Sequence, residues 1–444
     1  MDDRSDMNTM RHRMALSIWL RLFLTVLVLA TLAAVVAGPR LGAASGFFWL
    51  GLFLLIGGWV AWALLGRARM ANTPPHLSEV YPLHEAEGPA VIHEVMDVQT
   101  ASRQSDVVVF HGRLLEPADA AYRKLKGAVE PHMVPLLQPD ERWGASIYLM
   151  PKPVEQAVLE QPSRIWVNWL LFGLAFLTTT FAGAANAGVN LLHDPGRFAV
   201  GLPYAIGLLA ILGVHELGHF FAARRHGMNV TPPYFIPVPF ALGTFGAFIR
   251  MRSPPEDRPS LFDVAVAGPL AGLVIAIPAL LIGLHSSSVQ DFGQHPPPGA
   301  FDGAMTLSTP ILFGLLAKLS FGHALGGNTI LHLSPLAFAG WLGLYITGLN
   351  LLPIGQLDGG HTARSMFGHK TGSLIGTVGM WALFVWALFD PSKMFWAIIV
   401  FFLAGRPTPP LNDLTPISPG RQRLGWFTFL VLALILIPMP DSWF

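Results

Sequence analysis

Residues 211–227 read ILGVHELGHFFAARRHG and close an apolar run that begins near residue 198. The run is long enough for a membrane helix, yet it ends on His215, Glu216 and His219. A membrane helix does not hold three ionisable groups without a specific partner. Histidines at i and i+4 lie one turn apart on one face, with side chains about 6 Å apart, so both imidazoles can reach one Zn²⁺ at about 2.0–2.1 Å. Glu216 sits about 100° further round the helix, where it can take a proton from an attacking water without being a ligand. His226, beyond the Arg224–Arg225 pair, reads as an ordinary juxtamembrane residue.

The remaining chain agrees with a bilayer. Of its 444 residues, 52% are hydrophobic and 12% charged, whereas soluble domains average about 25% charged. Apolar stretches stand at 22–38, 41–66, 165–192, 198–214 (running on through 223), 264–284, 333–353, 374–389, 394–405 and 426–439. They predict a polytopic α-helical membrane protein of about nine transmembrane spans, in which the short 394–405 stretch is tilted, interfacial or re-entrant. The first stretch reads as a retained anchor, because a second follows at once with no convincing cleavage site between them. With the amino terminus in the cytoplasm, 23 of the 28 Lys and Arg fall on the inner side, against Arg40, Arg197 and Lys318 outside. This bias predicts a cytoplasmic N-terminus. The localisation expected is that of a multi-pass protein of a bacterial cytoplasmic (inner) membrane. The chain has no cysteine, so zinc must be held by nitrogen and oxygen, and no disulfide framework is possible. A net charge of +1 and no long basic run give no reason to expect nucleic acid as a partner.

Four segments follow: two N-terminal spans (1–66), a cytoplasmic α+β domain (67–164), a membrane core (165–373) and C-terminal spans (374–444). In the polar segment, DVVVFHGRLL reads as a strand and EPADAAYRKLKGAVE as a helix with Tyr122, Leu125 and Val129 on one face. MVPLL and ASIYLMP read as strands around a turn at Gly144. Its histidines, His84, His93, His111 and His132, lack ligand spacing and read as solvated or structural. Residues 285–334 read as an outer loop in which ILFGLLAKLSF forms a short amphipathic or interfacial helix.

Two histidines leave a catalytic zinc one protein ligand short, and a carboxylate is the usual supplement. GLNLLPIGQLDGGH, residues 348–361, offers Asp358 after a broken Gly- and Pro-containing stretch. Such backbone is tolerated at membrane depth only where it is buried in protein or lines a polar cavity. HELGH at 215–219 and NLLPIGQLDG at 350–359 resemble, in order, the two signatures of the site-2 protease family of intramembrane zinc metalloproteases, H-E-x-x-H and N-x-x-P-x-x-x-x-D-G. The resemblance implies that His215, His219 and Asp358 bind zinc, that Glu216 is the general base, and that Asn350 holds the substrate strand or its oxyanion.

Residues 234–272, YFIPVPFALGTFGAFIRMRSPPEDRPSLFDVAVAGPLAG, are similar to the branch of this family that includes plastid members and lacks a PDZ-type gating domain. GTFGAFI reads as a membrane-dipping β-hairpin or edge strand able to pair with an extended substrate, which places Gly243 and Gly246 among the candidate substrate-binding residues. GPLAG reads as a close-packing site between helices. The resemblance implies cleavage of single-span transmembrane protein substrates near the cytoplasmic side, in regulated intramembrane proteolysis. Two other classes remain open: a chamber protease with a Glu as third ligand, for which Glu256 is the only Glu downstream of Glu216, and a non-proteolytic zinc-binding membrane receptor or transporter.

Overall fold

A computed structural model describes residues 81–82, 89–104, 107–129, 133–151, 165–239, 242–291, 310–322, 325, 329–389, 397, 398, 400, 401 and 409–439. The spans expected at 22–38 and 41–66, and most of the 394–405 stretch, lie outside these residues. The chain divides into two compact units, one formed by Val80–Gly376 with Arg406–Phe444 and the other by Met1–Glu79 with Thr377–Gly405. In the second, Phe384 packs edge-on against Phe401.

The first unit opens with a five-stranded antiparallel sheet built from β1 (Tyr81–Pro82), β2 (Met96–Gln104), β3 (Val107–Leu114), β4 (Met133–Asp140) and β5 (Gly144–Pro151), in the order β1-β2-β3-β5-β4. Helices α1 (Val91–Val95) and α2 (Ala118–Val129) complete its core. Ala121, Tyr122, Leu125 and Val129 recur at helical spacing and are buried in one cluster with Phe110, Leu137, Ile147 and Leu149. Asp140 organises the β4–β5 turn. Its Oδ1 accepts the backbone N–H of Arg142 (2.8 Å) and Trp143 (3.0 Å), while Oδ2 accepts the Ser146 hydroxyl at 2.7 Å and lies 2.9 Å from His111 Nδ1. Led by the Ser146 hydroxyl, these donors hold the Asp140 carboxyl well below the usual carboxylate range. His111 therefore has a structural place.

Four described segments are long and apolar enough to cross a bilayer: Ile165–Asn186, Pro195–Arg225, Arg258–His285 and Asp358–Leu388. Their helices are α3 (Ile165–Asn186), α4 (Leu202–Arg225), α5 (Arg258–His285) and α8 (Asp358–Phe389); the shorter apolar helices are α6 (Ile311–Phe321) and α7 (Pro335–Leu351). A last helix, α9, covers Pro419–Leu436. Instead of starting near residue 374, α8 begins at Asp358 and breaks at Gly368, where φ is +82°. Within residues 285–334, β8 (Ser288–Asp291) pairs with β9 (Thr329–His332), strands of four residues each that are too short to show an alternating pattern.

In lipid, helices associate through close packing of small residues rather than through a hydrophobic drive. A Cβ on Gly340 would lie 2.6 Å from the Leu280 backbone nitrogen, one on Gly343 2.8 Å from Ile211, and one on Gly218 2.5 Å from the Ala267 carbonyl. These contacts bring α4, α5 and α7 together.

A two-stranded hairpin, β6 (Tyr234–Pro237) and β7 (Thr244–Phe248), lies along α3. Asn168 Nδ2 donates to the Pro232 (3.0 Å) and Pro233 (2.8 Å) carbonyls, and ten residues further on Thr178 Oγ1 donates to the Gly243 carbonyl at 2.7 Å. Ten residues of helix cover about 15 Å, so the hairpin is fastened along roughly that length of α3.

Candidate metal centre

Helix α4 carries His215, Glu216 and His219, with 5%, 8% and 7% of their surface exposed. The loop after α7 turns at Gly355 (φ +52°) and delivers Asp358 as the first residue of α8. A side chain on Gly360 would collide with the Gly355 carbonyl at 2.5 Å, and one on Gly359 with the Leu351 carbonyl. The two glycines let the helix start tight against its own approach loop.

His215 Nε2 and His219 Nε2 are 3.1 Å apart, and Asp358 Oδ2 lies 3.4 Å from each. Donors at about 2.0–2.1 Å from a tetrahedral zinc are separated by about 3.3 Å, so this triangle matches one face of a zinc coordination shell. His219 Nδ1 is 2.8 Å from the Val264 carbonyl on α5. A carbonyl only accepts, so Nδ1 carries the proton and the Nε2 lone pair is left for a metal. Two neutral imidazoles and a carboxylate suit a divalent borderline ion, and the donor set fits zinc.

Glu216 groups with both histidines, their ligand atoms lying within 4.8 Å of one another, and its carboxylate accepts the Ile249 backbone N–H just beyond β7. Asn350 Nδ2, at the end of α7, is 3.3 Å from His215 Nε2. The structure thus brings His215, Glu216, His219, Asp358 and Asn350 together. Gly243 and Gly246 are elsewhere and differ from each other. Gly243 (φ +80°) is pressed against α3, where a Cβ would stand 2.5 Å from Thr179 Cα, whereas Gly246 (φ +109°) on β7 has open space around it.

Sequence reasoning missed three supports of the centre. The Val264 carbonyl and the Ile249 amide are backbone groups and leave no residue signature. GPLAG was read only as helix packing, but a Cβ on Gly268 would stand 2.5 Å from His219 Cδ2 and Cε1, and one on Gly272 3.2 Å from His215 Nδ1. The four-residue spacing of these glycines repeats that of the histidines they face, and this was the available signal. His226 is likewise engaged, with Nε2 3.0 Å from Asp263 Oδ2, a carboxylate that also receives Arg421 at 2.7 and 2.8 Å.

Residues 203–386 match the model of peptidase family M50, whose members are the site-2 proteases. This segment belongs to that family. The resemblance drawn from HELGH and NLLPIGQLDG is therefore borne out, and with its apolar helices the chain is an integral membrane protein. It is 31% identical over 350 residues to the probable zinc metalloprotease EGY2, chloroplastic, of Arabidopsis thaliana, covering 75% of this chain and 60% of that one. It is 34% identical over 332 residues to the probable zinc metalloprotease EGY1, chloroplastic, of the same plant, covering 68% and 59%. The matched EGY2 of Oryza sativa subsp. indica is 35% identical over 237 residues, covering 53% and 42%. The chain thus spans about three-fifths or less of the length of these curated relatives. Zinc is the metal these relatives are named for.

Proposed function

We propose that the chain is a zinc-dependent intramembrane endopeptidase that hydrolyses peptide bonds of single-span transmembrane substrates near the cytoplasmic side, in regulated intramembrane proteolysis. The observation that carries this reading is the triangle of His215 Nε2, His219 Nε2 and Asp358 Oδ2 with the Glu216 carboxylate beside it. A structural zinc site is closed by a fourth protein ligand, whereas three ligands and a nearby carboxylate belong to a hydrolytic site.

His215, His219 and Asp358 would hold the metal, and Glu216 would be the general base. Zinc bound there supplies Lewis acidity, lowering the pKa of water towards about 7 and polarising the scissile carbonyl. Glu216 takes the water proton and passes it to the leaving amine; the Ile249 N–H fixes its carboxylate for both transfers. Asn350 lies close enough to His215 to donate to the oxyanion or hold the substrate strand. A substrate helix must unwind before attack, and the exposed β7 residues Phe245 and Phe248 offer an edge on which an extended segment can lie. Gly246, with open space beside it, leaves room for that backbone, while Gly243 fixes the hairpin to α3.

Around this centre we place about nine spans, a cytoplasmic α+β domain at 67–164, the protease core at 165–373 and C-terminal spans at 374–444. The distribution of basic residues supports a cytoplasmic amino terminus, and we place the chain in a bacterial inner membrane, whereas the named relatives are chloroplastic.

The test is to purify wild type and Glu216→Gln in detergent, measure bound zinc, and assay a panel of single-span substrates with helix-breaking residues. Zinc in both proteins and cleavage by wild type alone is expected, with a loss of about 10²–10⁴-fold in rate. Cleavage that survives in Glu216→Gln overturns the mechanism; zinc in both with cleavage by neither favours a zinc-binding receptor.

A further inference from the structure

Helix α8 has two parts. Its first, from Asp358 to the break at Gly368, carries the third donor of the metal centre at its amino end. The last carbonyls before such a break have no partner within the helix. Here they find one: Arg258, the first residue of α5, donates through Nε (2.9 Å) and Nη2 (2.6 Å) to the Ser365 carbonyl, and through Nη2 to the Met366 carbonyl at 3.1 Å. A cation on terminal carbonyls also meets the negative end of the helix dipole. The segment is about 15 Å long and is held at both ends, by the tight glycines Gly359 and Gly360 behind Asp358 and by this guanidinium at the far end.

Arg258 is itself held. Asp257 caps α5 in a reciprocal box with Ser260, whose N–H reaches Asp257 Oδ1 at 2.8 Å. The segment LNDLT, residues 411–415, runs beside it as a strap. Leu411 N–H and Asn412 N–H donate to the Pro255 (3.0 Å) and Glu256 (2.8 Å) carbonyls, while Leu137 on β4 exchanges backbone bonds with Leu411 (2.7 Å) and Asp413 (2.9 Å). This two-sided pairing brings buried Asp413 to Arg258 and Arg364, whose charges act on its carboxylate. Lys126 of α2 pairs with Glu256, and Lys370 with Glu141. The polar sheet, the strap and the start of α5 therefore form one assembly behind the helix that bears Asp358.

We propose that Arg258 is a positioning residue for the metal centre: by clamping the Ser365 and Met366 carbonyls, it sets where the amino end of α8 presents the Asp358 carboxylate. The inference rests on the metal-centre reading above. A metal ligand tolerates displacement of about 0.2 Å, so release of the far end of a short rigid helix is felt at the metal.

The test uses the full chain in detergent, stripped of metal and titrated with Co²⁺ and with Zn²⁺. The visible absorption of Co²⁺ reports coordination geometry independently of proteolysis. Arg258→Ala is expected to weaken Zn²⁺ binding about 10-fold or more and to lower and shift the Co²⁺ bands, and Arg258→Lys to recover part of both. A folded Arg258→Ala with wild-type affinity and spectrum overturns the proposal. So does a variant that loses thermal stability alone, which marks a merely structural residue. If Arg258→Ala does not fold, Arg258→Gln, which keeps one shorter donor, is read by the same two outcomes. Failure of wild type and His215→Ala to differ in metal binding would instead sink the underlying metal-centre reading.

Discussion

Gly268→Ala adds one methyl group to α5, and the structure fixes what it meets. The new Cβ would fall against His219 Nε2 itself and stand 2.5 Å from Cδ2 and Cε1, and atoms in contact prefer about 3.5–4.0 Å, so the imidazole must retreat by about 1 Å or more. That exceeds the roughly 0.2 Å a zinc–nitrogen bond can absorb, and the movement also pulls Nδ1 off the Val264 carbonyl. A misplacement of this size costs about 100-fold in rate, and with one donor withdrawn zinc affinity should fall by a similar factor or more. The assay is zinc content per chain with competitive chelator titration, alongside cleavage of a single-span substrate. Gly272→Ala is the internal control, because its Cβ would lie 3.2 Å from His215 Nδ1 and a shift of a few tenths of an ångström relieves it. It should lose several-fold at most. Wild-type zinc affinity in Gly268→Ala would refute the claim that this glycine makes room for the ligand.

Gly246→Ala meets no neighbour but forces an L-residue to φ +109°, a strain of about 1–3 kcal/mol at the proposed substrate edge. It should raise KM about fivefold or more at unchanged zinc content; unaltered kinetics would remove Gly246 from the substrate path. The Asp140 carboxyl is depressed in the folded sheet, so its contribution is fully present above the unfolded value of about 3.9 and is lost as pH falls below it. Hydrogen exchange of the β4–β5 peptide should accelerate in that acid window in wild type. Asp140→Asn should exchange fast at neutral pH and flatten the profile, and identical profiles would refute the assignment.

The candidate metal centre was legible because it places polar chemistry where lipid forbids it. HELGH stands out in an apolar helix, and Asp358 follows backbone that cannot face lipid. The sheet was partly legible: Tyr122, Leu125 and Val129 mark a helix face, and β3, β4 and β5 carry the β-branched and apolar residues that strands favour. Strand β2 was not, since Asp97, Gln99, Ser102 and Arg103 dilute its alternation. Nor was the true start of α8, where HTARS and HKTGS interrupt the apolar pattern and only tertiary contacts such as the Arg258 clamp reveal a helix. The strap has little intrinsic propensity of its own; its conformation comes from Leu137 on one side and the Pro255–Glu256 backbone on the other.

That strap also bears on timing. Synthesis runs from the amino end, so residue 411 leaves the ribosome about 260 residues after the sheet is finished at residue 151, an interval of roughly 15–50 s at ordinary elongation rates. Until then the Leu137 edge has no partner strand and Arg258 and Arg364 lack the Asp413 carboxylate. An uncompensated charge strongly disfavours a buried position, so the helix that presents Asp358 is secured by a segment that emerges only after the helix itself has been made. A chain stalled partway through translation would carry both zinc signatures without the fastening that aligns them.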